Sequence, residues 1–225
     1  MSDLAICNVA YDGNYEILKE KISMDGSLIN KKDQAGRIPL HWAASGGHSD
    51  VVNYLLQQSS PVNAEDDANW TPLMIAASSG RSDIVSALIG RGALVNAVNQ
   101  TGQSSLHYAA SKDHYNIAKM LLDNHADINV RDHMGSTPLH RAASKGNTRI
   151  VKLFITDYSN QLDVNPRDSV GNTPLHLACE EEREEEAKML IETGARTDIL
   201  NKEEKTPLSL APPGLRRRLQ SIRVP

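Results

Sequence analysis

Apolar residues along the chain fall into short stripes at regular intervals. Val51-Val52 with Leu55-Leu56, Ile84-Val85 with Leu88-Ile89, Ile117-Ala118 with Leu121-Leu122 and Ile150-Val151 with Phe154-Ile155 are spaced i, i+4. That spacing puts each set on one side of a short helix. Ahead of each stripe lies a smaller apolar set. Thr71-Pro72-Leu73-Met74-Ile75-Ala76-Ala77, Thr137-Pro138-Leu139-His140-Arg141-Ala142-Ala143 and Thr173-Pro174-Leu175-His176-Leu177-Ala178-Cys179 are the strong copies, and weaker ones begin at Ile38, Ser104 and Thr206. Thr caps the helix with its hydroxyl, Pro fits the first turn, and Leu and Ala face inward. Gly47, Gly80, Asp113, Gly146 and Glu182 break the chain between the two helices. Asp50 and Asp83 open second helices, where the dipole favours them. The pattern predicts a series of helix-turn-helix units.

The motif leucines are Leu40, Leu73, Leu106, Leu139, Leu175 and Leu208, separated by 33, 33, 33, 36 and 33 residues. Each unit closes on a turn: Asp33–Gly36, Asp66–Asn69, Asn99–Gly102, Asp132–Gly135, Asp168–Gly171 and Asn201–Glu204. Asp or Asn first, with Gly or Asn three residues later, is turn chemistry. Asn30, Asn63, Asn96, Asn129 and Asn165 each precede a turn by three residues and can bond turn backbone. Thr-Pro-Leu-His-x-Ala at a period near 33 resembles the ankyrin repeat. The resemblance implies a mainly α, ankyrin-repeat solenoid of about seven helix-turn-helix units with β-turn or hairpin fingers. One continuous domain over 1–225 is expected: an amino-terminal cap repeat at 4–37, full repeats at 38–70, 71–103, 104–136, 137–172 and 173–205, and a carboxy-terminal cap at 206–225.

Two places depart from the period. Three residues are inserted around Asp157–Leu162, after a second helix, and should lengthen a surface loop. Near the end, Pro212-Pro213 must stop the helix begun at Thr206, and Leu215, Leu219 and Ile222 then share one helical face. A single Phe and two Trp suit a core of Leu, Ile, Val and Ala.

The formal net charge of -4 argues against a nucleic-acid partner. Cys7 and Cys179 are too few and isolated for a disulfide framework, which points to a reducing compartment. The first residues lack a signal layout, and no apolar run approaches the ~18 residues of a membrane helix. The expected setting is therefore cytoplasmic and nuclear, with no membrane partner and a monomer when free.

His41, His107, His140 and His176 recur at one motif slot. Ligands spaced one repeat apart do not converge on a metal, which needs all its donors within ~2.3 Å. Each ring is expected to bond turn backbone instead. No Ser/His/Asp set, phosphate loop or zinc-protease string occurs, so no catalytic residue, metal site or cofactor is assigned. An enzyme is not expected.

The repeat leaves free the finger tips and the ends of the first helices, which in this architecture face one concave side. Before each Thr slot stand Arg37, Trp70, Gln103, Ser136, Asn172 and Lys205. Trp and Arg dominate interface energetics, so Trp70 reads as an exposed interface residue, or as a ring lying flat on a neighbouring finger. The first-helix ends carry small residues and Lys112, until Glu180-Glu181-Glu182. Negative charge there opposes the dipole at about 0.3–1 kcal/mol per residue, which points to an acidic pocket for a basic partner. Arg37 and Lys112 supply the opposite sign and would fix one register. Two alternatives stay open: a solvated acidic face, and neutralisation of the glutamates by Arg216–Arg218. Leu177-Ala178-Cys179-Glu180-Glu181 matches L-x-C-x-E, the peptide bound by retinoblastoma-type proteins, but Leu177 and Cys179 are motif positions expected in the core.

Non-consensus stretches carry a closer likeness: Cys7–Tyr11, Leu40–Ala43, Val95–Gln100, Leu106–Lys112, Gly171–Cys179 with the following Glu/Arg run, and Asn201–Leu208. They resemble the gankyrin family, ankyrin-repeat non-ATPase subunits linked to the proteasome regulatory particle. The resemblance implies an assembly chaperone whose concave face holds the C-terminal domain of one regulatory-particle ATPase and blocks early docking. Arg37, Asp67, Trp70, Lys112, Glu181 and Glu182 fall at the family's contact positions, Asp67 on the resemblance alone. Glu180 joins them from the acidic run. The family is also associated with cyclin-dependent kinase and retinoblastoma-type partners, which would make the chain a signalling adaptor or inhibitor.

Overall fold

The computed structural model describes residues 4–222. It is mainly helical, with no strand among the described residues and one isolated antiparallel bridge, Val98 with Ser104. The chain divides into two compact units, Met1–Ser105 with Asp123–His125, and Leu106–Leu122 with Ala126–Pro225.

The first unit carries α1 (Leu4–Tyr11), α2 (Tyr15–Met24), α3 (Pro39–Gly46), α4 (Ser49–Gln57), α5 (Pro72–Ser78) and α6 (Ser82–Gly90). First helices pack on first helices, α1 on α3 on α5, and second helices on second helices, α2 on α4 on α6. The stripes read from the sequence are the seam: Leu40, Val51, Val52, Leu55, Leu73, Val85 and Leu88 are all at most 1% exposed. Burial of a Leu or Val side chain contributes about 1.5–3 kcal/mol, so these short helices owe their stability to stacking rather than to propensity. Thr71 caps α5 by accepting the Met74 amide, and Gly47 ends α3 in the left-handed conformation.

The second unit carries α7 (Ser105–Ser111, whose first residue belongs to the first unit), α8 (Tyr115–Asp123, whose last does), α9 (Pro138–Lys145), α10 (Thr148–Asp157), α11 (Pro174–Glu180), α12 (Glu184–Glu192), α13 (Pro207–Leu210) and α14 (Pro213–Gln220). It repeats the plan, with α9 on α11 on α13, α10 on α12 and α12 on α14. Phe154 lies in the core, fully buried. The inserted residues form a loop after α10, with the amides of Gln161 and Leu162 bonded to the Tyr158 carbonyl. The double proline ends α13 and begins α14, which buries Leu215 and Leu219; the helix stops at Gln220, so Ile222, expected on the same face, lies beyond it and is half-buried.

Each finger is a hairpin closed on its first residue. The Oδ1 of Asp33, Asp66, Asn99, Asp132, Asp168 and Asn201 accepts two backbone amides, two and four residues on. Fingers join to fingers through Asp67 N–H to Ala35 O (2.9 Å) in the first unit and Lys202 N–H to Val170 O (2.9 Å) in the second. The asparagines three residues ahead of the fingers reach further than their own turn. Asn63 bonds the Gly92 carbonyl and the Leu94 amide, and Asn129 bonds the Gln161 carbonyl and the Asp163 amide. They tie one repeat to the next, and Asn129 does so across the inserted loop.

Candidate protein-binding site

The motif histidines are part of this scaffold. In His140 the Nδ1 accepts the Thr137 amide at 3.1 Å, so the proton sits on Nε2 and is donated to the Asn172 carbonyl at 3.0 Å. His176 repeats this with Thr173 and Lys205, and His41 with Ile38 and Trp70. His107 reaches the Ser136 carbonyl at 3.0 Å. Each ring therefore links a first helix to the following finger, as the period implies. Burial pushes all four below the usual histidine range, outweighing the carbonyl bonds that act the other way. Among the described residues no group of three His, Cys, Asp or Glu is placed to hold a metal. No helix is long and apolar enough to cross a membrane.

In the first unit Arg37, Asp67 and Trp70 come from adjoining fingers. Arg37 donates from Nε to Asp66 at 2.9 Å, and its guanidinium lies 5.3 Å from the centre of the Trp42 ring. Its terminal amino groups make no hydrogen bond among the described residues, so they are held in place with donors to spare. Burial pushes the Asp66 carboxyl up, but bonds from the Trp70 amide, Arg37 and the Ala68 amide win and hold it below the usual range. Trp42 in turn donates to Asp33 at 2.8 Å and meets the Tyr11 ring edge-on at 5.8 Å. Asp67 is exposed, and its carboxylate lies over Gly36, where a Cβ would come within 2.3 Å of it and φ is +74°.

Of the two expectations for Trp70, the exposed one does not hold: the residue is half-buried. Its backbone is fixed in the finger, the amide donating to Asp66 and the carbonyl taking both the Asp66 amide and the His41 ring. Tyr11 and Trp42, which stiffen Arg37 and leave Tyr11 48% exposed, belong to this site and were missed by sequence reasoning. Their signal was Tyr11 in the slot that holds Ala44, Ala77, Ala110 and Ala143 in later repeats, and Trp42 at the variable slot of the motif.

In the second unit Lys112 is exposed just past α7. Glu180 is the last residue of α11, Glu181 caps it, and Glu182 takes the left-handed conformation with φ +56°. All three are exposed, and their carboxylates take no hydrogen bond or ion pair among the described residues. The arginine tail does not neutralise them. Arg218 instead grips Glu184 through two bonds, 2.9 and 2.7 Å, and Arg216 bonds the carbonyls of Ser209 and Ala211. Arg218 and then Lys188 hold the Glu184 carboxyl down to about 2. The two acidic triplets thus differ: Glu184 and Glu185 have ion-pair partners and Glu186 is buried on Thr148, whereas Glu180–Glu182 take no ion pair among the described residues, Glu180 alone feeling the charge of Lys205.

The L-x-C-x-E match is locked in α11. Cys179 is fully buried, its thiol pushed up to about 12 by burial, and Leu177 is half-buried, less enclosed than expected of a core position.

Stacked helix pairs with hairpin fingers and exposed, preset side chains define a protein-binding repeat scaffold. The chain belongs to the ankyrin-repeat family: the model for ankyrin repeats (3 copies) matches at residues 6–99, 67–132, 83–168 and 106–201. The human ASB11 ankyrin repeat domain is similar in structure, with a TM-score of 0.85, 26% identity and 98% of each chain covered. Among curated proteins, human 26S proteasome non-ATPase regulatory subunit 10 is 53% identical over 57 residues, 25% of this chain and 25% of its own length. The mouse protein of that name matches equally, and human DNA-binding protein RFXANK is 35% identical over 57 residues, 25% of this chain and 22% of its own. These matches span about a quarter of the length of the curated relatives.

Proposed function

We propose that the chain is a non-enzymatic chaperone for assembly of the proteasome regulatory particle. It holds the C-terminal domain of a regulatory-particle ATPase through the Arg37, Asp67 and Trp70 site of the first unit and the Lys112 and Glu180–Glu182 site of the second. The mechanism is shape and charge complementarity, with the bound chain blocking premature docking. It acts in cytoplasm and nucleus, as a monomer when free and without cofactor.

The observation that carries the reading is the exposed Glu180–Glu182 run, which takes no ion pair among the described residues, with Glu182 in a backbone conformation that suits glycine. Carboxylates kept against both helix dipole and backbone preference, while the next triplet is internally paired, are placed for an outside cation. The local identity to a proteasome regulatory subunit supplies the class of partner. The test is calorimetric titration with the isolated ATPase C-terminal domain at low and high salt, alongside Glu181→Lys/Glu182→Lys. Tight, salt-sensitive binding lost in the double variant supports the reading. Binding that survives it leaves the partner and removes the acidic site.

The signalling reading, with cyclin-dependent kinase or retinoblastoma-type partners, is the second. Its peptide arm is disfavoured because exposing Cys179 in an extended segment requires unfolding α11. Kinase binding need not respond to the same charge reversal, so the same double variant separates the two.

A further inference from the structure

The second helices of the second unit carry a feature that the proposed site does not use. A groove of about 370 Å³ runs along α10, lined by Tyr115 of α8 and by Arg149, Lys152, Leu153, Thr156 and Asp157. Arg149 lies over the Tyr115 ring, 4.7 Å from its centre. Neither the Arg149 nor the Lys152 side chain has a hydrogen bond or carboxylate partner among the described residues, although the Lys152 carbonyl accepts the Thr156 hydroxyl at 2.8 Å. Some other cations of this unit do: Arg141 pairs with Asp132, and Lys188 and Arg218 both pair with Glu184.

Arg149 is also in the wrong place for its helix. The second residue of α4, α6 and α12 is Asp50, Asp83 and Glu185, as the positive end of the dipole favours. In α8 it is Asn116, and in α10 it is Arg149. A guanidinium at that slot opposes the dipole, and its contact with the Tyr115 ring holds it beside the groove. Lys152, three residues on, is its neighbour on the helix surface. Buried Leu153 gives the groove an apolar floor, which strengthens charge pairing over that of open water.

The sign then reverses. Asp157 lies eight residues beyond Arg149, about 12 Å along the helix, and accepts the Thr156 hydroxyl at 2.7 Å. The groove is cationic at one end and anionic at the other.

We propose that this groove docks an acidic segment of a protein partner, its Glu or Asp side chains on Arg149 and Lys152 and an apolar side chain over Leu153 and Tyr115. The Asp157 end admits a neutral or basic residue and so sets the segment's direction. This surface is on second helices and takes the opposite charge to the Glu180–Glu182 site, so it serves a different partner or a different part of one. It stands whether or not the ATPase reading does.

The test is nuclear magnetic resonance titration of the full ¹⁵N-labelled chain. The probe is an acetylated, amidated pentapeptide with a central leucine flanked by two glutamates on each side; its glutamine counterpart and inorganic phosphate are run in parallel. The proposal expects saturable shifts at the Arg149 Nε–H and the Lys152 and Thr156 amides with the glutamate peptide only, weakened several-fold between 50 and 300 mM salt. Arg149→Glu/Lys152→Glu should weaken binding about tenfold or more. Arg149→Glu alone should melt no lower than the parent, because it restores the dipole's preferred charge. Equal shifts with the glutamine peptide, shifts with phosphate but not the glutamate peptide, binding untouched by the reversal, or no saturable shift would each overturn it.

Discussion

Four buried histidines make the scaffold sensitive to acid well before its aspartates do. Each gives its Nε2 proton to a carbonyl and accepts a backbone amide or threonine at Nδ1 where that contact is seen, so the neutral tautomer is the one that fits. Their folded pKa values lie below the ordinary histidine value of 6.5, so between the two values the unfolded chain binds more protons. Stability is therefore complete above about pH 6.5 and falls as pH drops below it, by about 1.4 kcal/mol per pH unit for each histidine until its folded pKa is reached. Thermal melts at pH 7.5 and 5.5 should differ clearly; identical melts would contradict the assignment. Asp33, Asp66 and Asp132 are also depressed, but from 3.8, and their loss falls at lower pH. His140→Ala should cost about 2–4 kcal/mol, since it leaves the Asn172 carbonyl and a buried amide without a partner, and it should abolish no turnover. This chemistry was legible in the sequence because it recurs with the period. The Tyr11–Trp42–Arg37 stack was not, because it joins side chains of different repeats and one-dimensional spacing does not say which of them meet.

At the scale of elements, stability comes from stacking, so the terminal helix is as exposed to mutation as any in the core. α14 is polar except for its inward face, and Leu219 is 2% exposed. Leu219→Ala should cost about 2–5 kcal/mol and loosen the end of the second unit first, read as faster amide exchange in α14 and α12 than in α9. Arg218→Gln, which removes only an exposed pair with Glu184, should move the melting temperature little. A larger loss from Arg218→Gln than from Leu219→Ala would mean that the tail is held by charge and not by its apolar face. Helix positions, the proline break and the inserted loop were all readable, since each follows from a local rule about Pro, Gly or apolar spacing. The half-burial of Trp70 was not, because how far a finger side chain is covered depends on residues brought to it from other repeats, as His41 is brought to the Trp70 carbonyl from 29 residues away.

On the whole molecule, a net charge of -4 conceals an uneven distribution. Among the charges of the second unit without an ion pair are two groups of opposite sign: Glu180–Glu182 at the end of a first helix, and Arg149 and Lys152 along a second helix. The acidic group was legible because Glu182 replaces the glycine of the period, a mismatch visible in one dimension. The basic groove was not, because it depends on Arg149 meeting Tyr115 from another repeat. The central claim is that Glu182 is retained for a partner at the expense of the fold, and Glu182→Gly tests it with two readings on one variant. Glycine suits a φ of +56° and removes a carboxylate from a helix end that repels it, so the variant should be more stable by about 1 kcal/mol, melting about 2–4 °C higher. Its affinity for the ATPase C-terminal domain should fall, most at low salt. A variant that is more stable and binds as well as the parent would contradict the account.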